Sequence, residues 1–220
     1  MSTIVGRIDT TAFEGDGLEI IGTDDFDRIF GESESDLIDA GAGDDLVFGE
    51  GGDDLIIGGE GNDSIIGGEG NDSIIGGEGD DLIIGGEGND VIEAGSGNDL
   101  IFGEFGDDYI NGAEGDDTVV GGEGLDTLAG GEGSDLLFGG EGADVFEFNL
   151  EDFASGEVDT IGDFQIEQDT IAFSGFSEGD ELTFGSNGIS VNGNNIINII
   201  AAQEASSPSE EGEDDGFEIV

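Results

Sequence analysis

Counted in nines from Gly31, the chain repeats itself thirteen times without insertion or deletion and ends the run at Glu147. The clearest copies are GGEGNDSII at 58–66 and 67–75, followed by GGEGDDLII at 76–84. Position six is aspartate in every copy: Asp36, Asp45, Asp54, Asp63, Asp72, Asp81, Asp90, Asp99, Asp108, Asp117, Asp126, Asp135 and Asp144. Position eight is always apolar, from Ile38 and Val47 through Ile65 and Ile92 to Leu137 and Phe146. A carboxylate and a hydrophobe held two residues apart in phase are the mark of a stacked repeat, in which each unit buries a face against its neighbours.

Each unit divides into a six-residue turn, such as Gly58 to Asp63, and a three-residue strand, such as Ser64 to Ile66. Glycine at positions one, two and four permits the positive backbone angles that side chains disfavour. In the strand, side chains alternate between faces, so position eight points one way while seven and nine point the other. Two units of nine then make one coil of a flattened parallel helix with a sheet on each side and position eight filling the core. With coils about 4.8 Å apart, the run predicts a rod on the order of 30 Å long.

That stacking sets Asp63 beneath Asp81 and Asp54 beneath Asp72, two carboxylate ladders that repel themselves. The chain supplies little to neutralise them: 57 acidic residues face only Arg7 and Arg28, for a formal charge of −55 over 220 residues. Such a charge opposes binding to nucleic acid or to an anionic membrane surface. Calcium relieves it, since it takes six to eight oxygen ligands and accepts carbonyls as readily as carboxylates. Magnesium keeps its water and suits the cage poorly, and transition metals want nitrogen or sulfur donors that a chain without histidine or cysteine lacks. Without cations, an acidic, glycine-rich chain of this kind is expected to be disordered.

The quoted copies match GGxGxDxUx, with U a large apolar residue, and on them the chain resembles the RTX, or hemolysin-type, calcium-binding nonapeptide-repeat proteins. The resemblance implies a right-handed parallel β-roll stapled by several Ca2+ ions, each held between successive turns, with the thirteen aspartates as metal ligands. GADVFEF at 142–148, with DTIGDF at 159–164 and DTIAF at 169–173, is similar to the strands that follow the roll in serralysin-like secreted proteases. Some copies depart from the pattern. Glu34 replaces the second-turn glycine beside Asp36, Asp25 does so beside Asp27, and Leu125 replaces a polar residue at position five.

Four segments follow: 1–30 as an N-terminal cap of degenerate repeats, 31–147 as the roll, 148–200 as a β-rich C-terminal cap, and 201–220 as a disordered acidic tail. The capping strands are expected to cover the open edge of the last coil. At position nine, Phe48, Ile66, Ile84, Phe102, Val120 and Phe138 fall on one sheet, with Phe30 continuing below, whereas the other sheet carries a mixed column from Asp39 to Glu147. Either the C-terminal strands fold back over this apolar stripe, the favoured expectation, or it is a patch for self-association or another partner. The position-three glutamates, Glu60 and Glu78 among them, are expected in solvent.

No feature picks out a catalytic pair. Paired carboxylates can hydrolyse glycosides, but dozens of them without a concave site single out none, and H-E-x-x-H chemistry is closed to a chain without histidine. The first residues, MSTIVGRIDTTAFEGDG, lack a signal peptide's basic start and apolar run, and no apolar run is long enough to span a bilayer. Those absences alone would place the protein in the cytosol. The resemblance and a calcium array useless at cytosolic calcium levels favour export instead, through a type I ABC exporter addressed by the acid-plus-apolar run 214–220, which could otherwise be a frayed tail. A secreted, non-enzymatic β-roll that folds on calcium is thus expected, with an adhesive module or an accessory remnant of an enzyme or toxin as alternatives.

Overall fold

A computed structural model describes residues 11–12, 17–153, 156–175, 177, 180–185 and 188–201. The expected tail beyond 201 and much of the lead-in before Gly17 lie outside the described residues. The chain enters through β1 (Thr11–Ala12), β2 (Leu18–Thr23) and β3 (Arg28–Phe30). The repeats supply β4 (Leu37–Ala42), β5 (Leu46–Gly51), β6 (Leu55–Glu60), β7 (Ser64–Glu69), β8 (Ser73–Glu78) and β9 (Leu82–Glu87). They continue with β10 (Val91–Ser96), β11 (Leu100–Phe105), β12 (Tyr109–Glu114), β13 (Thr118–Glu123), β14 (Thr127–Glu132), β15 (Leu136–Glu141) and β16 (Val145–Asn149). Five strands follow: β17 (Asp159–Phe164), β18 (Thr170–Ser174), β19 (Leu182–Gly185), β20 (Gly188–Val191) and β21 (Asn194–Ala201).

From β2 to β19, consecutive strands go to opposite sheets. One sheet runs β1, β2, β4 and onward by twos to β18; the other runs β3, β5 and onward to β17, then β21, β20 and β19. The pairing within the repeats is parallel, with equivalent residues of every second copy side by side: Ile56 beside Ile74 in one sheet, Ile65 beside Ile83 in the other. This is the all-β parallel β-roll that the period predicts, two nonapeptides to a turn.

Position eight fills the space between the sheets. Ile38, Val47, Ile56, Ile65, Ile83, Ile101, Val119 and Leu137 are fully buried, and Ile161 and Ile171 extend the column into the C-terminal strands. The strand is six residues long, however, not three: it runs from position seven through position three of the next copy. Because sides alternate along a strand, position one also points inward, as the buried Ala40 and Ala94 show. The expected six-residue turn therefore shortens to three residues.

The glycines divide in the same way. Position four, as at Gly61 (φ 126°), and position two, as at Gly59 (φ 118°), need positive φ. Position one does not; it needs space. Glu50, Glu104 and Ala113 hold positive φ at position two without being glycine, a local strain on the order of 1 kcal/mol or more apiece that the surrounding ladder of strands sustains.

The C-terminal strands extend both sheets by pairing: β17 follows β15, and β18 follows β16. They do not fold back over the apolar stripe. Beyond β17 the sheet continues edge to edge through β21, β20 and β19, because satisfying the backbone groups of an edge strand sets the new strand beside the sheet, not upon its face. Gly162 of β17 leaves room for the Phe138 ring, which would meet any Cβ placed there. The stripe residues from Phe48 to Phe138 stay half-buried, and Phe30 is exposed.

Candidate metal centre

Each position-six aspartate is fixed on both sides by the turn above it. The Asp63 N–H donates to Asp81 Oδ1 at 2.8 Å, and the Asp63 carbonyl accepts from the Leu82 N–H at 2.9 Å. Repetition of the first bond builds two continuous ladders. One runs Asp27, Asp45, Asp63, Asp81, Asp99, Asp117, Asp135 and Asp159. The other runs Asp36, Asp54, Asp72, Asp90, Asp108, Asp126, Asp144 and Asp169.

The ladders are interior. All thirteen predicted aspartates are buried, from Asp36 at 4 % exposure to Asp126 at 0 %. One oxygen of each accepts the ladder bond. The second oxygen, Oδ2, is buried and accepts no hydrogen bond in Asp45, Asp54, Asp63, Asp72, Asp81, Asp90, Asp99, Asp108, Asp117, Asp126, Asp135 and Asp144. Asp36 differs: its Oδ2 accepts from the Glu32 N–H at 2.8 Å, and its Oδ1 accepts from the Leu18 N–H.

Carbonyl oxygens stand beside these free carboxylate oxygens. A Cβ added to Gly58 would lie 2.5 Å from both Asp63 Oδ2 and the Gly76 carbonyl oxygen, and the same pair of groups crowds Gly49, Gly67, Gly103 and Gly121. Position one is glycine, or alanine where the fold gives way, because a carboxylate of its own copy and a carbonyl of the turn above converge there. Among the described residues no three acidic side chains gather into a metal-holding cluster. The oxygen set is instead one carboxylate oxygen with backbone carbonyls, repeated along the roll, and this is a donor set for a hard cation of high coordination number.

Burial acts on the carboxyls directly. Desolvation pushes Asp54, Asp81, Asp108, Asp117, Asp135 and Asp159 up to about 7, against the pull of the N–H bond each accepts. The same cause raises Asp63, Asp90 and Asp144 to about 6, and moves Asp45, Asp72, Asp99 and Asp126 in the same direction. Neighbouring aspartates add to the rise. Since the unfolded carboxyl titrates near 3.9, the ion-free fold binds more protons than the unfolded chain between about pH 4 and 7, and it gains stability as pH falls through that window. In chelator, acidification from pH 7.5 toward 4.5 is therefore expected to raise the β signal in circular dichroism. Protons compete for the same oxygens, so the calcium midpoint should move up as pH falls. A chelated chain more ordered at pH 8 than at pH 5 would contradict both.

The structure also places residues that the sequence reading passed over. Position five forms a further pair of ladders, exposed; in one of them Asn62 N–H donates to Asp44 Oδ1 at 2.9 Å and Asp80 N–H to Asn62 Oδ1 at 3.0 Å. Its frequent Asn and Asp were the signal. Asp27, which has Asp25 in place of its glycine, is also buried in the ladder. Asp159 and Asp169 join it from outside the nonapeptide run, and the D-T-I triplets that carry them repeat the D-x-U spacing of the array. The position-three glutamates, Glu60, Glu69, Glu78, Glu87, Glu114, Glu123, Glu132 and Glu141, are exposed.

The family model of the RTX calcium-binding nonapeptide repeat, written for 4 copies, matches residues 21–56, 48–83, 57–92, 84–119 and 120–149. Those matches span more than half of the sequence, and the chain belongs to this hemolysin-type calcium-binding family. Calcium is the ion its repeats take. The match ends before β17 and does not include the C-terminal strands. No curated protein matches the chain.

Proposed function

We propose that this chain is a secreted, non-enzymatic protein whose calcium-loaded roll, residues 31–147, is its working part, capped by 148–200. The position-six aspartates are the ligands, each giving its free Oδ2 to an ion completed by carbonyls of adjacent turns. The reading rests above all on the unbroken series of buried, unpartnered Oδ2 atoms from Asp45 to Asp144. Asp36 belongs to the same set by sequence and ladder, with its carboxylate already held by two N–H groups. Catalysis has no support in this geometry, because the buried aspartates are spent on one periodic task along the roll.

Members of this family are typically secreted, and no helix of the described residues is long and apolar enough to cross a membrane. A chain that is unfolded at low cytosolic calcium can thread a type I ABC exporter and fold outside, where millimolar calcium matches the affinity of extracellular sites. The run 214–220 is the proposed address. Deleting Phe217 to Val220 is expected to trap the protein inside the cell while leaving its calcium-induced folding in vitro unchanged. A truncated chain recovered from the medium as fully as the intact one would remove this address.

A second reading, self-association through Phe48, Ile66, Ile84, Phe102, Val120 and Phe138, draws on the uncovered face of their sheet. Phe30 and Phe48 stack at 5.0 Å with an interplanar angle of 6°, and Arg28 lies 4.8 Å above the Phe30 ring. On this reading the loaded roll forms concentration-dependent dimers in sedimentation equilibrium, and Phe102→Ser weakens them. A strictly monomeric loaded chain at high concentration would discard it.

A further inference from the structure

One copy of the array departs from the repeat where it meets the apolar face. In GEFGDDYIN, residues 103–111, Glu104 stands at position two and Phe105 at position three. The copies paired on either side have glycine at position two, Gly86 and Gly122. All three hold positive φ: 122° at Gly86, 76° at Glu104 and 127° at Gly122. Glutamate there carries a backbone strain that glycine would not. At position three the same neighbours have Glu87 and Glu123, so Phe105 puts a ring in place of a charge, and it is 48 % exposed. Neither Glu104 nor Phe105 enters the core.

The two departures meet in one place. Phe102, Glu104, Phe105, Val120 and Glu123 line a hollow of about 270 Å³ on this sheet. Two aromatic rings with two carboxylates suit an organic cation, which the ring faces attract and the carboxylates neutralise. The stripe already shows such a contact once: Arg28, at position seven, lies 4.8 Å from the centre of the Phe30 ring, at position nine. Along the sheet, position seven runs Arg28, Leu46, Ser64, Leu82 and Leu100. Beside Phe102, therefore, Leu100 stands where the guanidinium would be. Arg28 is four strands away, about 19 Å at the spacing of paired strands. The chain's other arginine, Arg7, lies outside the described residues, and there is no lysine.

We propose that this hollow is a docking site for an arginine of a basic, extended polypeptide partner. The guanidinium plane lies against the Phe102 and Phe105 rings, and its fork of N–H donors turns to Glu104 and Glu123. Because the hollow opens on the face of a sheet, a small free cation gains little burial there. An arginine carried on a polypeptide also brings neighbouring residues against the apolar stripe, at Ile84 and Phe138. A second copy of this chain is the poorer occupant, since it brings the same formal charge of −55. The site requires the folded roll and goes beyond its calcium binding.

The test uses the calcium-loaded full chain, diluted until sedimentation shows a monomer. Tetra-arginine amide is titrated in while amide NMR shifts of 102–105 and 120–123 report the site. Saturable shifts confined to those residues are expected. Glu104→Gly and Phe105→Glu each restore the residue of the neighbouring copies, so both keep the fold, and each is expected to weaken binding about threefold or more. Phe105→Glu is the decisive arm, because it adds a negative charge and attraction by the chain's overall field would make binding tighter. Glu60→Gln, on the other sheet, should leave the affinity unchanged. Shifts spread over both sheets, an unchanged affinity in Glu104→Gly or tighter binding in Phe105→Glu would overturn the site. So would the loss of one bound calcium in Glu104→Gly, counted by atomic emission after dialysis, which would assign the hollow to a metal ion.

Discussion

In chelator at neutral pH the repeats should lose their β structure, and calcium at roughly 0.1–1 mM should restore it cooperatively. Every position-six aspartate from Asp45 to Asp144 buries an oxygen that the protein does not satisfy. Leaving a charged buried group unmet costs about 1–3 kcal/mol or more, set against a net domain stability of roughly 5–15 kcal/mol. Repeated along both ladders, that cost is enough to unfold the ion-free, ionised roll. Calcium that binds the folded arrangement and not the unfolded chain is expected to shift the equilibrium by mass action. Cooperativity follows from the stacking, because each coil is a partner of the next and a lone coil buries little. Magnesium at the same concentration should not substitute, since it gives up water reluctantly and demands a tight octahedron. A β-rich circular dichroism spectrum indifferent to chelator would refute the coupling of folding to calcium.

The sequence made the period, the buried column and the two ladders legible, because invariant Asp and apolar residues at a fixed spacing admit one stacking of nines. It was less clear about why each glycine is there. Gly58 and Gly59 are adjacent and identical in sequence, but Gly59 serves a positive φ while Gly58 makes room for Asp63 Oδ2 and the Gly76 carbonyl. That difference exists only after the turn above is in place. Asp159 and Asp169 were hidden for another reason. Counting in nines loses phase at the insertions before β17 and β18, whereas strand pairing recovers it, placing Leu137 beside Ile161 and Phe146 beside Ile171. The apolar stripe does lie on one face of one sheet, with Phe48 beside Ile66 and Val120 beside Phe138. Its expected cover failed because hydrophobicity names surfaces to be buried but does not say whether the next strand will add to the edge or to the face.

Replacing one ladder carboxylate should act in opposite directions with and without calcium. Asp81→Asn keeps an oxygen to accept the Asp63 N–H but removes a carboxyl that burial pushes up to about 7. In chelator the substitution eases the fold: a charge that would have to be protonated or left unmet is gone, so the acid-induced gain of structure should begin at a higher pH. In saturating calcium it withdraws an anionic oxygen from the ions of its ladder, and stability should fall by about 2 kcal/mol, with a severalfold higher calcium midpoint. Glu78→Gln, three residues earlier in the same copy, is the control. Its side chain is exposed and acts only through a screened field, so it should leave the midpoint unchanged or slightly lower it in either condition. Chemical denaturation of both variants, with calcium and with chelator, reads the sign directly. Equal effects of the two substitutions, or an Asp81→Asn chain weakened in chelator as well as in calcium, would mean that the buried ladder is held by its hydrogen bonds and not by the ions between its turns.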